Sequence, residues 1–535
     1  MGLRGRGRWV REPDVHGAEA GAGDGSPCLV AIDVGTTSVK CLVVDAAGCP
    51  LFDERVVIRL HHPQPSWTEV DARDWWGAAA SLLRRATSAV SPERIAAVGV
   101  TGLMHALVPV DAAGEPLEPA ILWLDQRSFR QAERLAASWT DHLREAVGGP
   151  PGTMSAAPRL LWLREERPGL LERARCWLTA KDFVRFHLTG RFATDPTDAA
   201  GTGLARRDGS GWAAELVDGV LELSLDRLPS IRPSARVVGE ITRSAAVTTG
   251  LCEGTPVVAG AADTTATLLG LDGWAPDRAV IYLGTGVWLS LSRPGGTDHV
   301  PAQRFLGVTA TCGAALVWHH RAIGGAGDRD LCPEALYRAH EEAAAVPAGA
   351  SGVFFLPHLM GERGFAADPH ARGVFFGLTL AHRAPHLLRA VVEGNAFQIR
   401  RTLEHALGRP DAPALPEELL IAGGPARTPL WRQVMADVLK RPVRTPATSE
   451  ATALGAAILA AVGGRLFPHP RAAAAAWVRL EPPTPPGAAR AAFYDRAYDL
   501  FCRLESAVSP LYPAAAELQD AIHCRERGEE DTLMT

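Results

Sequence analysis

The sequence predicts an α/β protein built as two related lobes, on three observations. At 535 residues the chain is too long for one core, since domains run to about 100–250 residues. A unit of apolar strand, Gly-Thr turn and apolar strand opens the chain as LVAIDVGTTSVKCLVV (29–44) and returns as RAVIYLGTGVWLSLS (278–292), as an internal duplication would produce. Around both copies, helical-period stretches alternate with short, nearly continuous apolar runs, the pattern of strands covered on both faces.

Order is expected from Cys28. CLVAIDV and SVKCLVVD flank GTT and read as a hairpin, and GCPLFDERVVIRL adds another strand. DARDWWGAAASLLRRATSAV (71–90) reads as a helix, with Asp71 as its cap and Pro92 just beyond its end. RIAAVGVTG is a buried strand, and LVPVDAAGEPL is a strand followed by a turn. Between 155 and 250, helices such as APRLLWLREE mix with Pro- and Gly-rich loops, and TPVVAGAAD is a strand ending in small residues and an acid. In the second half, PHLLRAVVEGNAFQIRRTLEHAL (385–407) is a helix ending at Gly408, and ELLIAGGPA is a strand running into a double glycine. TPLWRQVMADVLKRPV is a helix closed by a proline turn. TSEATALGAAILAAVGG is a small-residue helix able to pack very closely, and FYDRAYDLFCRLESAV is an amphipathic terminal helix. Residues 1–26 are expected to form a disordered extension, and 513–535 a polar tail.

Composition is that of a soluble globular protein, 47% hydrophobic and 21% charged. The net charge of −5 argues against a dedicated nucleic-acid binder. No stretch reaches the ~18–20 apolar residues that span a bilayer, so no membrane partner is expected. The start lacks the apolar centre of a secretory signal, and its acids argue against a transit peptide. The nine cysteines are scattered and form no C-x-x-C pair, which suits a reduced, cytoplasmic protein. The only lysines are Lys40, Lys181 and Lys440.

The opening hairpin carries chemistry. Gly35 lets the backbone approach an anion closely, and Thr36, Thr37 and Ser38 offer hydroxyls to phosphate oxygens, with Lys40 just beyond. Gly284 and Thr285 can do the same from the other lobe. Either turn alone could be an ordinary hairpin; as a pair they could clamp a nucleotide tail. No G-x-x-x-x-G-K-[ST] is present, which disfavours a P-loop ATPase. Beside phosphates, Asp33 would need a cation, and Mg²⁺ held partly through water is the natural one; the alternative is a strand-end acid bonded to backbone amides. Asp263, in GAADTTA, lies at a strand end, where open α/β sheets collect ligands. It could accept a proton from an attacking hydroxyl, or simply cap the next helix. An aspartate of ordinary pKa ~3.9 is already ionised at neutral pH. Gly423 and Gly424 offer flat backbone for a ring. His105 could bond a substrate hydroxyl or be structural. Trp123 could be an apolar platform beside the acceptor Asp125, or a core ring beside a surface acid.

These residues resemble the FGGY carbohydrate kinases, of the sugar kinase/Hsp70/actin superfamily, over about Cys28 to Ser509. IDVGTTSVK is similar to that family's first phosphate motif. DPTDAAGT, AGAADTTA, YLGTG, GERGFAADPHARGVFFGLT, IAGGPARTPLWRQVMADVLKRPV and EATALGAAILAA follow in the family's order. Within it, WTEVDARDWW, LMHA, LWLDQR, LTAKDF and DPTDAAGT are most similar to xylulokinases. The resemblance implies a two-lobed actin-like ATPase (ribonuclease H-like) fold, with a duplicated βββαβα core and a deep interlobe cleft. The implied sugar-binding lobe covers 27–273 and the nucleotide-binding lobe 274–512. The implied activity is ATP- and Mg²⁺-dependent phosphorylation of a sugar hydroxyl, D-xylulose to D-xylulose 5-phosphate, with a homodimer left open. It makes Asp263 the general base and Asp33 the Mg²⁺-side acid. Met104, His105, Trp123, Asp125 and Thr264 become the sugar pocket. Gly35, Thr36, Thr37, Ser38, Lys40, Gly284 and Thr285 become the phosphate contacts, and Gly423 and Gly424 support adenosine.

The chain departs from the xylulokinase pattern at Leu103, where Gln precedes Met-His, at Leu124 and Thr264, where Asn is usual, and after GERG, where Thr-Pro is missing. These lost amides are expected around the sugar, where unpaired polar groups set specificity. The rivals are a kinase for another ketose, a polyol or a sugar acid, of ribulose, gluconate or glycerol type; an ATP-driven actin- or Hsp70-like binding protein; and a sugar sensor without activity.

Overall fold

The structure, a computed structural model, describes residues 25–64, 66–275, 277–292, 303–325, 333–408 and 414–526. Most of the expected N-terminal extension, and residues 527–535 of the expected tail, lie outside these.

Two sheets repeat one topology. In the first, β1 (Cys28–Val34), β2 (Ser38–Val44) and β3 (Pro50–Val57) form an antiparallel meander. The strand β4 (Ile95–Gly102) lies parallel to β1; β5 (Val237–Glu240) and β6 (Pro256–Val258) follow, and β7 (Ala261–Ala262) also pairs with β4. The order is β5-β6-β4-β1-β2-β3. In the second sheet β8 (Ala279–Leu283), β9 (Val287–Ser292) and β10 (Gln303–Thr309) form the meander. Here β11 (Leu419–Ala422) lies parallel to β8, with β12 (Val443–Arg444) outside it, in the order β10-β9-β8-β11-β12. The duplication expected from the two Gly-Thr units is therefore present as a repeated strand order.

The packing helices are α1 (Ala72–Ala89), α2 (Ala180–Thr189), α3 (Asp263–Gly270), α4 (Ala384–Leu407), α5 (Pro429–Leu439), α6 (Ala451–Gly463) and α7 (Ala488–Val508). As expected, Asp71 caps α1, accepting from the Arg73 amide at 3.0 Å.

Strand alternation decides what faces the space between the lobes. On β1, Val30, Ile32 and Val34 enter a core with Trp75 of α1 and Phe183 of α2. On β8, Ala279, Ile281 and Leu283 enter a second core with Val391, Val434 and Phe501. The other faces meet in one shared core. Leu29, Ala31, Leu42 and Val44 of the first sheet join Val280, Leu420 and Ala422 of the second around α3 and α6. Asp33 and Lys40 continue the face of Leu29, Ala31, Leu42 and Val44; Tyr282 continues that of Val280. All three thus emerge at the end of the interlobe core. A fourth core, with Trp139, Leu160, Trp162 and Trp177, holds the helical insertion between β4 and β5.

The small residues of α6 let backbone meet backbone. A Cβ on Gly455 would lie 1.9 Å from the Ala266 carbonyl oxygen, and one on Gly270 1.9 Å from that of Ala451. A Cβ on Gly99 would lie 2.1 Å from the Ala456 oxygen. The sheet, α3 and α6 are in backbone contact, so α3 has little freedom to shift.

One expectation needs correction. The stretch 513–526, read as part of a polar tail, is helical within α8 (Tyr512–Glu526). Tyr512 and Ala516, one turn apart, are buried and tie its first turn down.

In the second lobe His358 is fully buried between Glu362 (3.0 Å) and Glu505 (2.8 Å). Burial opposes its charge, but the two carboxylates outweigh it and raise the imidazolium to about 9. A folded-state value above the unfolded ~6.5 means stability that is full below ~6.5 and lost as pH rises through about 9. His358→Gln should therefore cost about 3 kcal/mol at the acidic end. In denaturant titrations across pH, the gap to the wild type should close above about 9; a pH-independent gap contradicts the charged assignment.

Candidate active site

The first Gly-Thr turn closes with the Gly35 amide donating to the Ser38 carbonyl at 2.9 Å. Asp33 and Lys40 are direct partners across β1 and β2, and Asp33 also pairs in register with Thr101 of β4. Thr36 Oγ1 accepts from Trp123 Nε1 at 3.2 Å, tying the turn to the 122–127 loop. Thr37 is exposed at the tip, and Ser38 is half-buried.

The second turn closes with Gly284 N donating to Gly286 O at 2.8 Å. It is seated on the N-terminus of helix Gly313–Ala322, whose Gly313 and Ala314 amides donate to the Gly284 and Thr285 carbonyls. Gly423 has φ +99°, and a Cβ there would fall 2.1 Å from the Leu283 oxygen, so only glycine allows the double-glycine turn to lie against this hairpin. Gly424 faces open space. Lys40, Tyr282, Gly423, Arg427, Thr448 and Glu450 are among the residues lining one cavity of about 320 Å³.

Glu450, just before α6, was not foreseen from sequence: its carboxylate lies 2.6 Å from Lys40 Nζ, spanning the two halves of the chain. Tyr282 was also missed. It holds in β8 the penultimate position that Asp33 holds in β1, and its phenol, raised by burial, faces Lys40, Asp33, Asp263 and Glu450. The duplication thus carries an acid in one lobe and a phenol in the other.

Asp263 is the first residue of α3, and Ala262, not Asp263, is the cap residue. Its Oδ1 accepts from the Thr264 amide at 2.6 Å. Among the described residues no cation pairs with it. Burial, and the nearby charge of Asp33, raise its carboxyl to about 7. This corrects the expectation of an ordinary aspartate. Burial likewise raises Asp33 to about 6, with Lys40 opposing and Glu450 adding to the rise. Two buried carboxylates, one of which raises the other, favour a dication. No group of three or more His, Cys, Asp or Glu among the described residues could hold a metal by itself. An ion completed by water and phosphate oxygens, as Mg²⁺ prefers, fits this donor set.

Thr264 Oγ1 donates to Met104 Sδ at 3.2 Å, and a Cβ on Gly201 would meet Met104 Cε at 2.5 Å and His105 Cε1 at 3.8 Å. Met104, His105, Gly201, Thr264 and Asp263 therefore lie together. His105 has φ 65°, left-handed for a non-glycine, and buried Arg159 holds it there by donating to the His105 carbonyl. Burial lowers the imidazole to about 4, against a backbone hydrogen bond to Gly201 that favours the charged form, so it is neutral, and its buried Nδ1 has no further partner among the described residues.

Two expected positions are not in this group. Asp125 is 1% exposed. Its Oδ1 accepts from the Arg127 amide and Nε, both at 2.9 Å, and its Oδ2 from the Thr68 amide at 2.6 Å and Arg127 Nη2 at 2.7 Å. Arg127 also pairs with Glu69 at 2.7 Å and stacks over Trp67 at 3.7 Å. Asp125 is a buried loop anchor, with neither the surface nor the lone pairs for a sugar. Leu103 is 2% exposed within the first-lobe core, so its departure from the xylulokinase pattern falls outside the pocket. Leu124 is half-buried beside Trp123.

Residues 28–270 match the N-terminal domain of the FGGY family of carbohydrate kinases, and residues 300–464 its C-terminal domain. The chain is 30% identical to the xylulose kinase of Escherichia coli (strain K12), covering 90% of this chain and 99% of that one. It is 32% identical to the glycerol kinase of Citrifermentans bemidjiense, over 85% and 94%. The crystal structure of xylulose kinase from Rhodospirillum rubrum superposes with a TM-score of 0.78 at 28% identity, over 91% of this chain and 99% of that one. The repeated sheets, the paired Gly-Thr turns and these matches agree: the chain belongs to the FGGY family of carbohydrate kinases and is a phosphotransferase of the actin-like fold.

Proposed function

We propose that the protein transfers the γ-phosphate of ATP to the terminal hydroxyl of D-xylulose, giving D-xylulose 5-phosphate, with Asp263 as general base. The observation that carries this is Asp263 itself: an acid opening a helix in the interlobe cleft, with no cationic partner among the described residues, beside Met104 and the neutral His105.

In this reading the sugar lies against Met104, His105, Trp123 and Thr264, and His105 Nδ1 bonds one of its hydroxyls. Asp263 takes the proton of the terminal hydroxyl as its oxygen attacks the γ-phosphorus in line, and the bond from that phosphorus to the β-phosphate oxygen breaks, releasing ADP. The developing charge meets backbone N–H groups of the turns at Gly35–Ser38 and Gly284–Thr285, the hydroxyls of Thr36 and Thr37, and Lys40. The phosphates compete with Glu450 for Lys40. Gly423 and Gly424 lie under the adenosine. Asp33 would hold Mg²⁺, which neutralises phosphate charge when bound. Sugar-binding and nucleotide-binding lobes of 27–273 and 274–512 remain part of the proposal. A cytoplasmic location rests on the cysteines, all free thiols among those described, and on the described helices, none long and apolar enough to cross a membrane. A homodimer would cover the exposed Phe376, Leu378 and Leu380; light scattering tests it, a monomer mass being contrary.

A base raised to about 7 predicts that activity falls as pH drops through that region, because the proton acceptor is lost. Asp33→Asn removes the charge that raises it, so the acidic limb of the residual activity should move to lower pH. An unmoved limb contradicts the coupling.

A second reading, a kinase for glycerol or another polyol, is favoured by the glycerol kinase relative and by Leu124 and Thr264 in place of amides. An ATP-consumption assay over D-xylulose, D-ribulose, glycerol and gluconate, with the product identified, separates the two. D-xylulose turning over no faster than the sugar-free blank, while another acceptor does, replaces the first reading by the second.

A further inference from the structure

Below the cleft lies a charged cluster that the chemistry above leaves unused. Lys181 is fully buried, with Nζ 2.5 Å from Asp182 Oδ1, 3.1 Å from Asp195 Oδ1 and 3.1 Å from Asp198 Oδ2. Arg185, also fully buried, lies 2.6 Å from Asp182 Oδ1. Buried ions carry a desolvation cost that well-packed apolar side chains avoid, so such a cluster is a weak source of stability and calls for another role.

Besides bonds to Ala193 and Thr179, the cluster and its neighbours reach the four residues before Asp263. Arg185 Nη1 donates to the Ala259 carbonyl at 2.8 Å. Thr101 Oγ1 donates to the Ala261 carbonyl at 2.8 Å. The Ala262 amide donates to Thr197 Oγ1 at 2.9 Å, and that hydroxyl donates to Asp195 Oδ2 at 2.6 Å. Asp195 Oδ2 also accepts from the Thr197 amide at 2.8 Å and Ser234 Oγ at 3.1 Å, while its Oδ1 is held by Lys181. Between these points Gly260 turns at φ +83°, where a Cβ would meet the Val100 oxygen at 1.8 Å. The segment is thus gripped at Ala259, Ala261 and Ala262, and α3 starts at the next residue.

We propose that Thr197, oriented by Asp195 and through it by Lys181, is a positioning residue for phosphoryl transfer, fixing the Ala262 amide and with it the direction in which the Asp263 carboxylate enters the cleft. The Thr197 hydroxyl is the only side-chain link from the cluster to the residue adjoining Asp263 among the described hydrogen bonds, and both its donor and its acceptor are committed. Without it the Ala262 N–H loses its partner and the turn that enters α3 loses a fixed point, while the body of α3 stays held by α6. Small misplacements of a reacting group cost up to about 10²-fold in rate. The inference rests on the reading of Asp263 as general base.

The test is Thr197→Val, nearly isosteric but without the hydroxyl, assayed per folded enzyme with the sugar that turns over best. The expected result is a kcat lower by about 10- to 100-fold, with the KM for sugar within about 3-fold of wild type, and recovery in Thr197→Ser. A purely structural role would instead lower the melting temperature and the active fraction while leaving kcat per folded molecule intact. That result, or failure of serine to restore kcat, overturns the proposal. If the valine variant does not fold, Thr197→Ala, which adds no methyl against the Asp195 carboxylate, is read the same way. Asp263→Asn in parallel separates the two ideas. An inactive asparagine variant with an unaffected valine variant rejects the role of Thr197 alone, and an active asparagine variant rejects the base on which it rests.

Discussion

Asp263→Asn is expected to lower kcat by at least about 10²–10⁴-fold, the usual consequence of losing a general base. Asparagine keeps the shape and the Thr264 amide contact but cannot accept the proton. It also removes a charge that burial and Asp33 both disfavour, so the variant should be no less stable than the wild type. ATP should still bind, because Lys40, Gly423 and the two Gly-Thr turns are untouched. Calorimetry with ATP, a melting curve and a steady-state assay together check all three. Turnover near that of the wild type would remove Asp263 from its role.

The second large effect concerns packing. Gly455→Val places side-chain atoms where the Ala266 carbonyl oxygen already stands, 1.9 Å from the new Cβ. Backbone rather than a flexible side chain must yield, so α6 and α3 must part. The expected loss is about 3 kcal/mol, at the upper end for overpacked cores. Because Asp263 is the first residue of α3, activity should fall with stability, and more steeply than the folded fraction accounts for. Urea titration and kcat per folded molecule check this; a variant with wild-type values of both contradicts the close contact.

Much of this was legible because it is local. The hairpin around Gly35, the Asp71 cap and the small-residue helix at 451–463 each follow from nearby residues, through turn chemistry, capping and side-chain volume. The repeat of strand, Gly-Thr and strand announced a duplication that the two sheet orders bear out.

What was not legible depended on distance in the chain or on burial. Lys40 finds Glu450 across 410 residues, a pairing no local pattern encodes, although an acid opening an otherwise apolar helix was a signal. Asp125 read as a sugar acceptor or else a surface acid, but the arginine two residues later folds back and consumes it. Leu103 read as a lost sugar contact, whereas it is core. The elevated Asp263 carboxyl follows from burial and then from the approach of Asp33, properties of the folded cleft rather than of either motif. A lone lysine at 181, among three in the whole chain, was the one hint of the cluster beneath the site.

Following the phosphorus directly tests the central claim. Phosphorus NMR of the wild-type enzyme with ATP and D-xylulose should show the γ-phosphate signal replaced by that of a sugar phosphomonoester, with no such signal from Asp263→Asn over the same time. Inorganic phosphate as the sole product of the wild type, or sugar phosphate formed equally by both enzymes, would contradict it.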